Sequence, residues 1–431
     1  MVNRIFCAVC CAVLCFSLLC GCGTAAPEAE ERGDGAEQQE PLDDVENDDA
    51  VDAEVYDVGC TTRSDPYGSL RDSGMIFGQT LREGENTLIS PLSIFGSLSM
   101  AAEGADGETQ AQIVQIFVSE TSWSADLMFN EYAHSLPQGD KCKVSLANSV
   151  WIRDLPGFEV ESGYVDNCLS RYDAELYQGS FDESTLEAVN RWVKEKTDGM
   201  ITEVINEILP NAMMYLINAL AFDAEWKTIY SDTQVRDGIF TAGDGTEQKA
   251  EMMYSQEAVY LEDGEASGFL KYYADERYAF LAMLPNEGLS VTDYAASLAE
   301  DPYHAVPDIL DSAQEITVNA AIPKFACSYD VSLKDALMAL GMVDAFDPEK
   351  ADFSNICKNS ELYIGEVLHK TYIAVDERGT KAGAVTAVEM DSRAAMHTDE
   401  KTVYLDRPFL YMILDCEEEI PLFIGILDHL E

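Results

Sequence analysis

The sequence predicts an α+β protein whose folded part spans residues 64–431. Near the C-terminus, two continuous apolar runs at 409–414 and 422–427 flank an acidic turn, which is typical of a buried β-hairpin. Further upstream, apolar residues recur in several segments at i, i+3, i+4 and i+7, the spacing of amphipathic helices. A chain of this length is sufficient for a large hydrophobic core.

The first residues have the pattern of an export signal. Arg4 precedes an apolar run at 5–19, and residues 19–22 resemble a bacterial lipoprotein cleavage site with Cys22 as the first mature residue. The apolar run is short for a transmembrane helix. We expect residues 1–21 to be a lipoprotein signal peptide, and a lipid on Cys22 to anchor the protein to a bacterial membrane or cell surface, outside the cytoplasm. An ordinary cleaved signal is the alternative.

An acidic segment follows the signal. Residues 23–60 are dominated by Glu, Asp, Ala and Gly, and Arg32 is their only basic residue. We interpret residues 22–63 as a disordered stalk, because such a composition cannot bury enough apolar surface to fold. The formal net charge of the whole chain is −52. We therefore expect neither nucleic acid nor a heparin-like polyanion as a partner, since both require clusters of Lys and Arg.

The cysteines do not indicate a metal site. Of the twelve, five belong to the signal peptide and Cys22 is the predicted lipidation site. The other six are scattered without metal-ligand spacing: Cys60, Cys142, Cys168, Cys327, Cys357 and Cys416. Export permits disulfides, but the spacing defines no pairing, and buried thiols are the alternative. We expect no metal and no cofactor.

A long segment at about 376–401 separates two strand-like runs, 362–375 and 402–405. Connections between strands are usually short, and long ones tend to be functional or disordered. If the segment lay as a strand, its small uncharged side chains would share one face. Among them are Thr380, Ala382, Ala384 and Thr386. We interpret the segment as a strand held in reserve, with Gly379 providing backbone freedom at its entrance.

Three motifs resemble those of the serpin family. Residues 379–386, Gly-Thr-Lys-Ala-Gly-Ala-Val-Thr, resemble the hinge of a serpin reactive-centre loop, and residues 404–410, Tyr-Leu-Asp-Arg-Pro-Phe-Leu, resemble the family signature downstream. Residues 86–94 are similar to the family motif Asn-x-x-x-Ser-Pro-x-Ser. The resemblance implies a monomeric serpin in a lipoprotein form. The serpin fold has a large mixed β-sheet, smaller sheets, about eight to nine helices and an exposed reactive-centre loop.

Local signals place further elements in chain order. They predict a helix over 69–83, a helix opened by Ser90, a strand over 146–151, a helix opened by Ser184 and closed by Gly199, and a helix opened by Ser332 and closed by Gly341. Residues 216–226 resemble the serpin strand that would border the inserted loop. The helix after Ser184 resembles the serpin helix that lies across the front of the main sheet and must shift when a strand enters.

The resemblance also implies conformational roles for five residues. Four correspond to positions behind the main sheet or on the strand that feeds the loop: Ser90, Ser93, Asn218 and His369. Trp226 corresponds to the opening at the top of the sheet. Nearby, Asp223-Ala224 stands where the family usually has Lys-Gly, which is a departure close to that opening.

The mechanism implied by the resemblance is suicide inhibition of a serine endopeptidase or, alternatively, a cysteine endopeptidase. In the family the attacked bond lies fourteen residues after the hinge glycine, which places it here at Arg393–Ala394. Arginine indicates trypsin-like targets, because a guanidinium requires an acidic pocket. After acyl-enzyme formation, the loop from Thr380 onward would insert into the main sheet. The hinge would comprise Glu377, Gly379, Thr380, Ala382, Ala384 and Thr386.

Enzyme motifs are absent from the sequence. It has no Gly-x-Ser-x-Gly elbow, no His-Glu-x-x-His helix and no phosphate loop. We therefore expect a protease inhibitor and not an enzyme. One alternative is a non-inhibitory serpin, since Arg378 and Lys381 stand where inhibitors usually have acidic residues. The other is a surface lipoprotein that binds ligands through a fixed α+β domain.

Overall fold

The computed structural model describes residues 3–4, 67–117, 125–358, 362–380 and 400–430. Several sequence predictions concern residues outside these ranges, and they stay predictions. They include the signal peptide apart from residues 3–4, the stalk, Cys22, Cys60, Ala382, Ala384, Thr386, Arg393 and Ala394. Among the helices of the described ranges, none has both the length and the apolar character needed to cross a membrane.

The described residues form ten α-helices, seventeen β-strands and a short 3-10 helix at Asp344–Phe346. The helices are α1 Gly68–Asp72, α2 Met75–Thr80, α3 Pro91–Gly104, α4 Gly107–Gln115, α5 Ala125–Ser135, α6 Ser162–Tyr172, α7 Glu183–Lys196, α8 Val291–Glu300, α9 Pro302–Asp311 and α10 Lys334–Ala339. The strands are β1 Asn3–Arg4, β2 Thr87–Ile89, β3 Cys142–Arg153, β4 Ala174–Gly179, β5 Met214–Glu225, β6 Val235–Thr241, β7 Glu247–Glu257, β8 Val259–Glu262, β9 Ala266–Tyr272, β10 Tyr278–Pro285, β11 Thr317–Pro323, β12 Phe325–Ser332, β13 Ile364–Val375, β14 Gly379–Thr380, β15 Glu400–Tyr404, β16 Phe409–Asp415 and β17 Ile420–Leu427.

The strands assemble into three sheets. The main sheet has seven strands in the order β1-β4-β3-β5-β14-β13-β12. A second sheet has six strands in the order β2-β17-β16-β10-β9-β8, and a third has four in the order β15-β11-β7-β6. The main sheet is mixed, because β3 and β4 are parallel, as are β5 and β13, whereas the other pairs are antiparallel. This combination of helices and mixed sheets confirms the predicted α+β fold.

β5 separates two hydrophobic cores, because successive side chains of a strand point to opposite faces of the sheet. Leu216 and Leu220 belong to the main core, which they share with α3 and the six-stranded sheet. Tyr215 and Ile217 point to the other face, where they pack with Trp192 of α7. We call this second face the front of the main sheet. A strand that enters beside β5 must therefore fit between a packed core and α7.

α3 lies in the main core, and most of its residues are buried. Its N-terminus is capped by Ser90, whose Oγ accepts a hydrogen bond from the Ser93 amide at 3.2 Å. Pro91 occupies the first helical position, where its missing N–H costs nothing. The helix that the sequence predicts after Ser90 is confirmed.

The long helix predicted over 69–83 is wrong in detail, because α1 and α2 occupy this segment as two short helices. The Ser73 hydroxyl donates to the carbonyl oxygens of Leu70 and Pro91 at 2.6 and 3.1 Å. A serine that bonds to a nearby carbonyl competes with the helical hydrogen-bond pattern. The periodic apolar residues gave the buried face correctly, but they could not show this interruption.

Of two further predicted helix starts, one is wrong and one is confirmed in part. α7 is capped by Asp182 and not by Ser184, since the Asp182 carboxylate accepts from the Ser184 amide at 2.9 Å. α10 begins at Lys334, and the residue before it, Leu333, makes no side-chain cap. The Ser332 hydroxyl, predicted to cap this helix, accepts a long hydrogen bond from the Lys334 amide at 3.4 Å and donates to the carboxylate of Glu366 in β13. In α7 the cap is therefore an aspartate in place of the predicted serine, whereas at α10 the predicted serine contacts the first helical amide.

The predicted strands are confirmed. β16 and β17 pair antiparallel as the C-terminal hairpin, and all of their residues are buried. The runs at 146–151 and 216–226 lie within or at the end of β3 and β5, which pair with each other.

Four cysteines in the described residues form no disulfide. Cys142, Cys168 and Cys357 are buried, and Cys416 is half-buried. Burial raises the pKa of the Cys168 and Cys416 thiols to about 12, so these thiols stay protonated and unreactive.

Candidate functional site

The first two residues of the reserve strand have already entered the main sheet. Gly379–Thr380 pair with Glu225 and Ala224 of β5 on one side, and Thr380 pairs with Val375 of β13 on the other. We call this end of the sheet its top. The family resemblance implied insertion from Thr380 onward after acyl-enzyme formation, whereas Thr380 is already paired in the intact chain. Backbone groups at the facing edges of β5 and β13 require partners, and these two residues supply them in the intact chain.

Gly379 is required by lack of space. A Cβ atom at this position would lie 1.9 Å from the carbonyl oxygen of Ala224. The interpretation that Gly379 provides backbone freedom is corrected by this contact, because two backbones that approach so closely exclude any side chain. Just before it, the Asp376 carboxylate accepts from the amides of Arg378 and Gly379 at 2.8 and 3.2 Å and fixes the chain reversal.

Thr380 anchors the hinge in the main core. It is 1% exposed, and its Oγ1 lies 2.5 Å from the hydroxyl of Tyr273. The Tyr273 ring stacks on Trp226, with ring centroids 4.5 Å apart and an interplanar angle of 12°. Because side chains alternate along a strand, any continuation of β14 would bring every second residue onto this same core side.

Two aromatic residues hold three consecutive carbonyl groups of the hinge. The Trp226 indole N–H donates to the Asp376 carbonyl at 2.8 Å, and its amide donates to the Arg378 carbonyl at 2.8 Å. The Tyr230 amide donates to the Glu377 carbonyl at 2.9 Å. Trp226 thus lies at the top of the main sheet and fixes the start of the loop to the segment that follows β5.

An ion pair adds to these backbone contacts. Lys324, between β11 and β12, lies 2.8 Å from the Glu377 carboxylate and 3.6 Å from that of Glu251. The hydrogen bond from Lys324 lowers the pKa of the Glu377 carboxyl. Burial opposes the charged form of Lys324, but Glu377 outweighs it and raises the pKa of the lysine. The pair therefore stays charged at neutral pH and connects the hinge to the edge of the main sheet.

The main sheet is paired below the hinge only in its lower half. β5 and β13 form a parallel ladder from Met214 and Ile364 up to Asn218 and His369. Between that point and the pairs made by Thr380, no ladder pair joins the two strands in the part of the chain that the structure describes. We call this gap the open seam. The open seam is a slot for one strand. The pairs of Gly379–Thr380 bound it at the top, and the pair of Asn218 and His369 closes its lower end.

Predicted site residues meet where the open seam ends. The Ser90 amide donates to His369 Nε2 at 3.0 Å, and the Ser93 hydroxyl donates to Asn218 Oδ1. Asn218 in turn donates to Asn148 Oδ1. His369, Asn218 and Asn148 lie opposite one another on β13, β5 and β3. This cluster, called the His369 cluster below, joins three strands to the start of α3.

His369 is neutral in the folded protein. It is 2% exposed, and burial lowers its pKa from 6.5 to about 3. Its Nε2 atom carries no proton, because it accepts the hydrogen bond from the Ser90 amide. Protonation would place an N–H group against that amide and break the contact.

Acidification is expected to destabilise the protein through His369. The unfolded chain takes up a proton at this residue near pH 6.5, whereas the folded chain does so only near pH 3. The contribution of neutral His369 is therefore complete above pH 6.5 and is lost as the pH falls between these two values. The loss amounts to about 1.4 kcal/mol of unfolding free energy per pH unit.

Denaturant unfolding of the parent protein and of His369→Asn at several pH values measures this effect. The stability advantage of the parent over the variant should shrink as the pH falls. The control is His304→Asn, because the exposed His304 contacts only Asp301 among its described ion pairs. If the stability difference between the parent and His369→Asn does not depend on pH, the assignment of His369 as a buried neutral residue with a lowered pKa is wrong.

Sequence reasoning missed several residues of the site. They are Asn148, Tyr230, Tyr273, Lys324 and Asp376. Two of them carried a usable signal: Asn148 is polar within an apolar strand, and Lys324 directly follows the buried β11. The aromatic residues had no distinguishing pattern. Within the described ranges, no group of three or more His, Cys, Asp and Glu side chains is arranged to hold a metal ion.

Among the described residues, the main sheet thus has two loop residues bound at its top and an open seam below them. The family model described as Serpin (serine protease inhibitor) matches residues 75–429. The chain belongs to the serpin family. Family membership supports a protease-inhibitor kind of function, and members are generally not enzymes.

Relatives share most of the chain. An uncharacterized serpin-like protein of Thermococcus kodakarensis is 30% identical over 350 residues, which cover 79% of this chain and 80% of the relative. The thermophilic serpin tengpin in its native state is 41% identical, with a TM-score of 0.80 over 85% of this chain and 94% of that chain. Tengpin in its latent state gives a TM-score of 0.74 over 85% of this chain and 98% of that chain, at the same identity. The fold is therefore closer to the native than to the latent state of that serpin.

Proposed function

We propose that the protein inhibits serine endopeptidases of trypsin-like specificity by trapping them as acyl-enzymes. One observation carries the proposal: Gly379–Thr380 are seated in the main sheet above the open seam. Among the described residues, none pairs with both strands along the open seam, and an inserted strand would provide ladder hydrogen bonds there. A domain with a fixed fold gains nothing from such an arrangement, whereas an inhibitor that inserts its cleaved loop requires it.

The register of β14 divides the proposed insertion into two phases. Continued downward, it would bring residues 381–385 beside 219–223 of β5, and Thr386 opposite Asn218 and His369. The first phase fills the open seam and breaks no ladder bond between β5 and β13. In the second phase each further residue has to replace such a bond. The His369 cluster thus resists insertion at the point where the sheet must begin to part.

The chemistry proposed at the loop is that of an interrupted peptide hydrolysis. The serine of the target attacks the carbonyl carbon of Arg393, an ester forms, and the amine of Ala394 leaves. Cleavage releases the loop from its far anchor, so insertion can proceed. At about 3.3 Å per residue, insertion as far as Arg393 would carry the attached protease roughly 45 Å. Distortion of the protease then prevents water from hydrolysing the ester.

Replacing Arg393 by alanine is expected to slow the inactivation of trypsin by about 100-fold or more, because the acidic pocket of the protease loses its cation. The measurement is the second-order rate of trypsin inactivation with inhibitor in excess. Arg378→Ala is the matched control, since Arg378 lies at the hinge and away from the proposed bond. It should inactivate trypsin at close to the parental rate. Equal rates for the parent and Arg393→Ala would show that the bait residue is wrong.

We also propose that the protein is exported and anchored through lipid on Cys22, on the basis of residues 19–22. Cleavage there would remove β1, which adds only two residues to the edge of the main sheet. Labelling with a clickable fatty acid in a bacterial host should mark the parent protein and place it in the membrane fraction. Cys22→Ser should be unlabelled, and labelling of that variant would contradict the proposed anchor.

We also propose that the protein is a monomer and that it binds no polyanion cofactor. Residues 119–138, which correspond to a basic helix in some serpins, contain neither Lys nor Arg. Phosphate or sulfate groups bind through such side chains, so nothing in this segment attracts them. Retention on a heparin column at low salt, or a dimer mass in light scattering, would contradict this part of the proposal.

A further inference from the structure

We propose that Lys271 is a positioning residue, which keeps the hinge seated by supporting the two aromatic residues that bind the hinge backbone. The inference rests on the proposed function, since seating of the hinge matters for inhibition only if the loop inserts. It gives a role to a buried cation that belongs neither to the loop nor to the His369 cluster.

The Lys271 ammonium is enclosed by one carboxylate and two rings. The residue is 3% exposed, and its Nζ lies 2.8 Å from Glu257 Oε1. It also lies 4.4 Å from the ring centroid of Tyr230 and 5.3 Å from that of Trp226. The Glu257 carboxylate accepts from the Ser255 hydroxyl at 2.6 Å, and Ser255 Oγ lies 3.3 Å from the Tyr230 hydroxyl. Each polar group around the cation is thus held by another.

A buried ion pair of this kind calls for an explanation, because lysine is almost never fully buried and apolar side chains fill such sites at no desolvation cost. The pair joins Lys271 in β9 of the six-stranded sheet to Glu257 in β7 of the four-stranded sheet. Burial opposes the charge, but Tyr230 and Glu257 outweigh it and raise the pKa of Lys271. The cation therefore persists at neutral pH and attracts both aromatic faces.

The two rings belong to the residues that bind the hinge. Trp226 and Tyr230 together donate three hydrogen bonds to the carbonyl groups of residues 376–378. An ammonium between their rings fixes both side chains, and with them the backbone amides that face the hinge. Without the cation, the rings are free to separate, the three hydrogen bonds weaken, and Gly379–Thr380 leave the sheet more often.

A seated hinge completes the first step of insertion before a protease arrives. After acylation, insertion competes with hydrolysis of the ester, and the faster process decides whether the protease is trapped or released. A hinge that is often unseated starts insertion late, so more inhibitor is consumed as substrate. A role in stability alone would lower the melting temperature without shifting this competition.

Hydrogen exchange on the intact, uncleaved protein measures seating without any protease. The test protein carries Lys271→Met and Glu257→Gln, which removes both charges, keeps the approximate shape and leaves no unpaired carboxylate. We expect the amides of Trp226, Tyr230 and 379–380 to exchange about ten-fold faster than in the parent, while the amides of β16 and β17 keep their parental rates.

The matched control carries Arg277→Met and Asp415→Asn. Arg277 is also paired with a buried carboxylate, at 2.6 Å, and its guanidinium lies 5.9 and 5.3 Å from the ring centroids of Tyr132 and Tyr278. Among its described contacts, however, none is a residue that binds the hinge. The control should melt earlier but keep parental exchange at the hinge. Parental hinge exchange in the Lys271 and Glu257 double variant, or equally fast hinge exchange in the control, would overturn the proposal.

The number of inhibitor molecules consumed per trapped trypsin gives the functional readout. We expect this ratio to rise about five-fold in the Lys271 and Glu257 double variant and to stay parental in the control. An unchanged ratio in a parent protein that does trap trypsin would overturn the role of Lys271. If the parent traps no trypsin, the proposed function fails, and the exchange experiment still decides whether Lys271 seats the hinge.

Discussion

Replacing Thr380 with arginine is expected to convert the protein from an inhibitor into a substrate. Thr380 is the first loop residue on the core side of the main sheet, where it is 1% exposed and contacts Tyr273. An arginine at this position would have to bury a guanidinium with no carboxylate partner, at a cost of about 3–5 kcal/mol. The side chain would therefore stay outside the sheet, and insertion would lose its first step.

The fraction of trypsin recovered as a covalent complex on a denaturing gel measures this effect. Thr380→Arg should reduce that fraction at least about ten-fold while the loop is still cleaved, since a barrier of this size outweighs a ten-fold kinetic advantage. Thr380→Ser is the matched control, because it keeps the hydroxyl that contacts Tyr273. If Thr380→Arg traps trypsin as well as the parent, the loop does not insert from Thr380 and the mechanism is refuted.

Cleavage of the loop without a trapped protease is expected to stabilise the protein strongly. Residues after Thr380 would fill the open seam and then the lower half of the main sheet. About a dozen residues would gain ladder hydrogen bonds, each contributing roughly 0.5–1.5 kcal/mol net, so the total is on the order of 10 kcal/mol. In a domain of this size, that corresponds to an increase in melting temperature of about 10–20 °C.

Calorimetry of the intact protein and of the protein cleaved after Arg393 provides this comparison. The same cleavage in Thr380→Arg is the control, and it should give a much smaller increase, because the arginine obstructs insertion. An unchanged melting temperature after cleavage of the parent would favour the alternative raised by the sequence, a fixed α+β domain that binds ligands.

Elements that bury an apolar face were predictable from the sequence, because the pattern of apolar residues shows where that face lies. The hairpin of β16 and β17 was found as two continuous apolar runs, because such runs can be covered only inside a sheet. β5 was found through its resemblance to a serpin strand. Helix starts were less predictable, because short-range hydrogen bonds decide them. The spacing of apolar residues predicted one continuous helix, but a hydrogen bond of Ser73 interrupts it. The capping pattern predicted Ser184 as the cap of α7, but Asp182 accepts the capping hydrogen bond.

The candidate site was predictable only in part, for a different reason. Thr380 and His369 were found through local motifs, but the contact of Thr380 with Tyr273 and the contact of His369 with the Ser90 amide depend on how the sheets and α3 pack together. Alternation showed which face of the loop would enter the main sheet. It could not show that Gly379–Thr380 are already seated, because that depends on how the edges of β5 and β13 face each other in the assembled fold.

Mass spectrometry of a denatured mixture of the protein and trypsin tests the proposed trap most directly. We predict an adduct in which trypsin is joined to a chain that ends at Arg393, together with a released peptide that runs from Ala394 to Glu431. Complete cleavage of the Arg393–Ala394 bond, with both fragments free and trypsin fully active, would contradict the proposal that this protein is a suicide inhibitor of trypsin-like proteases.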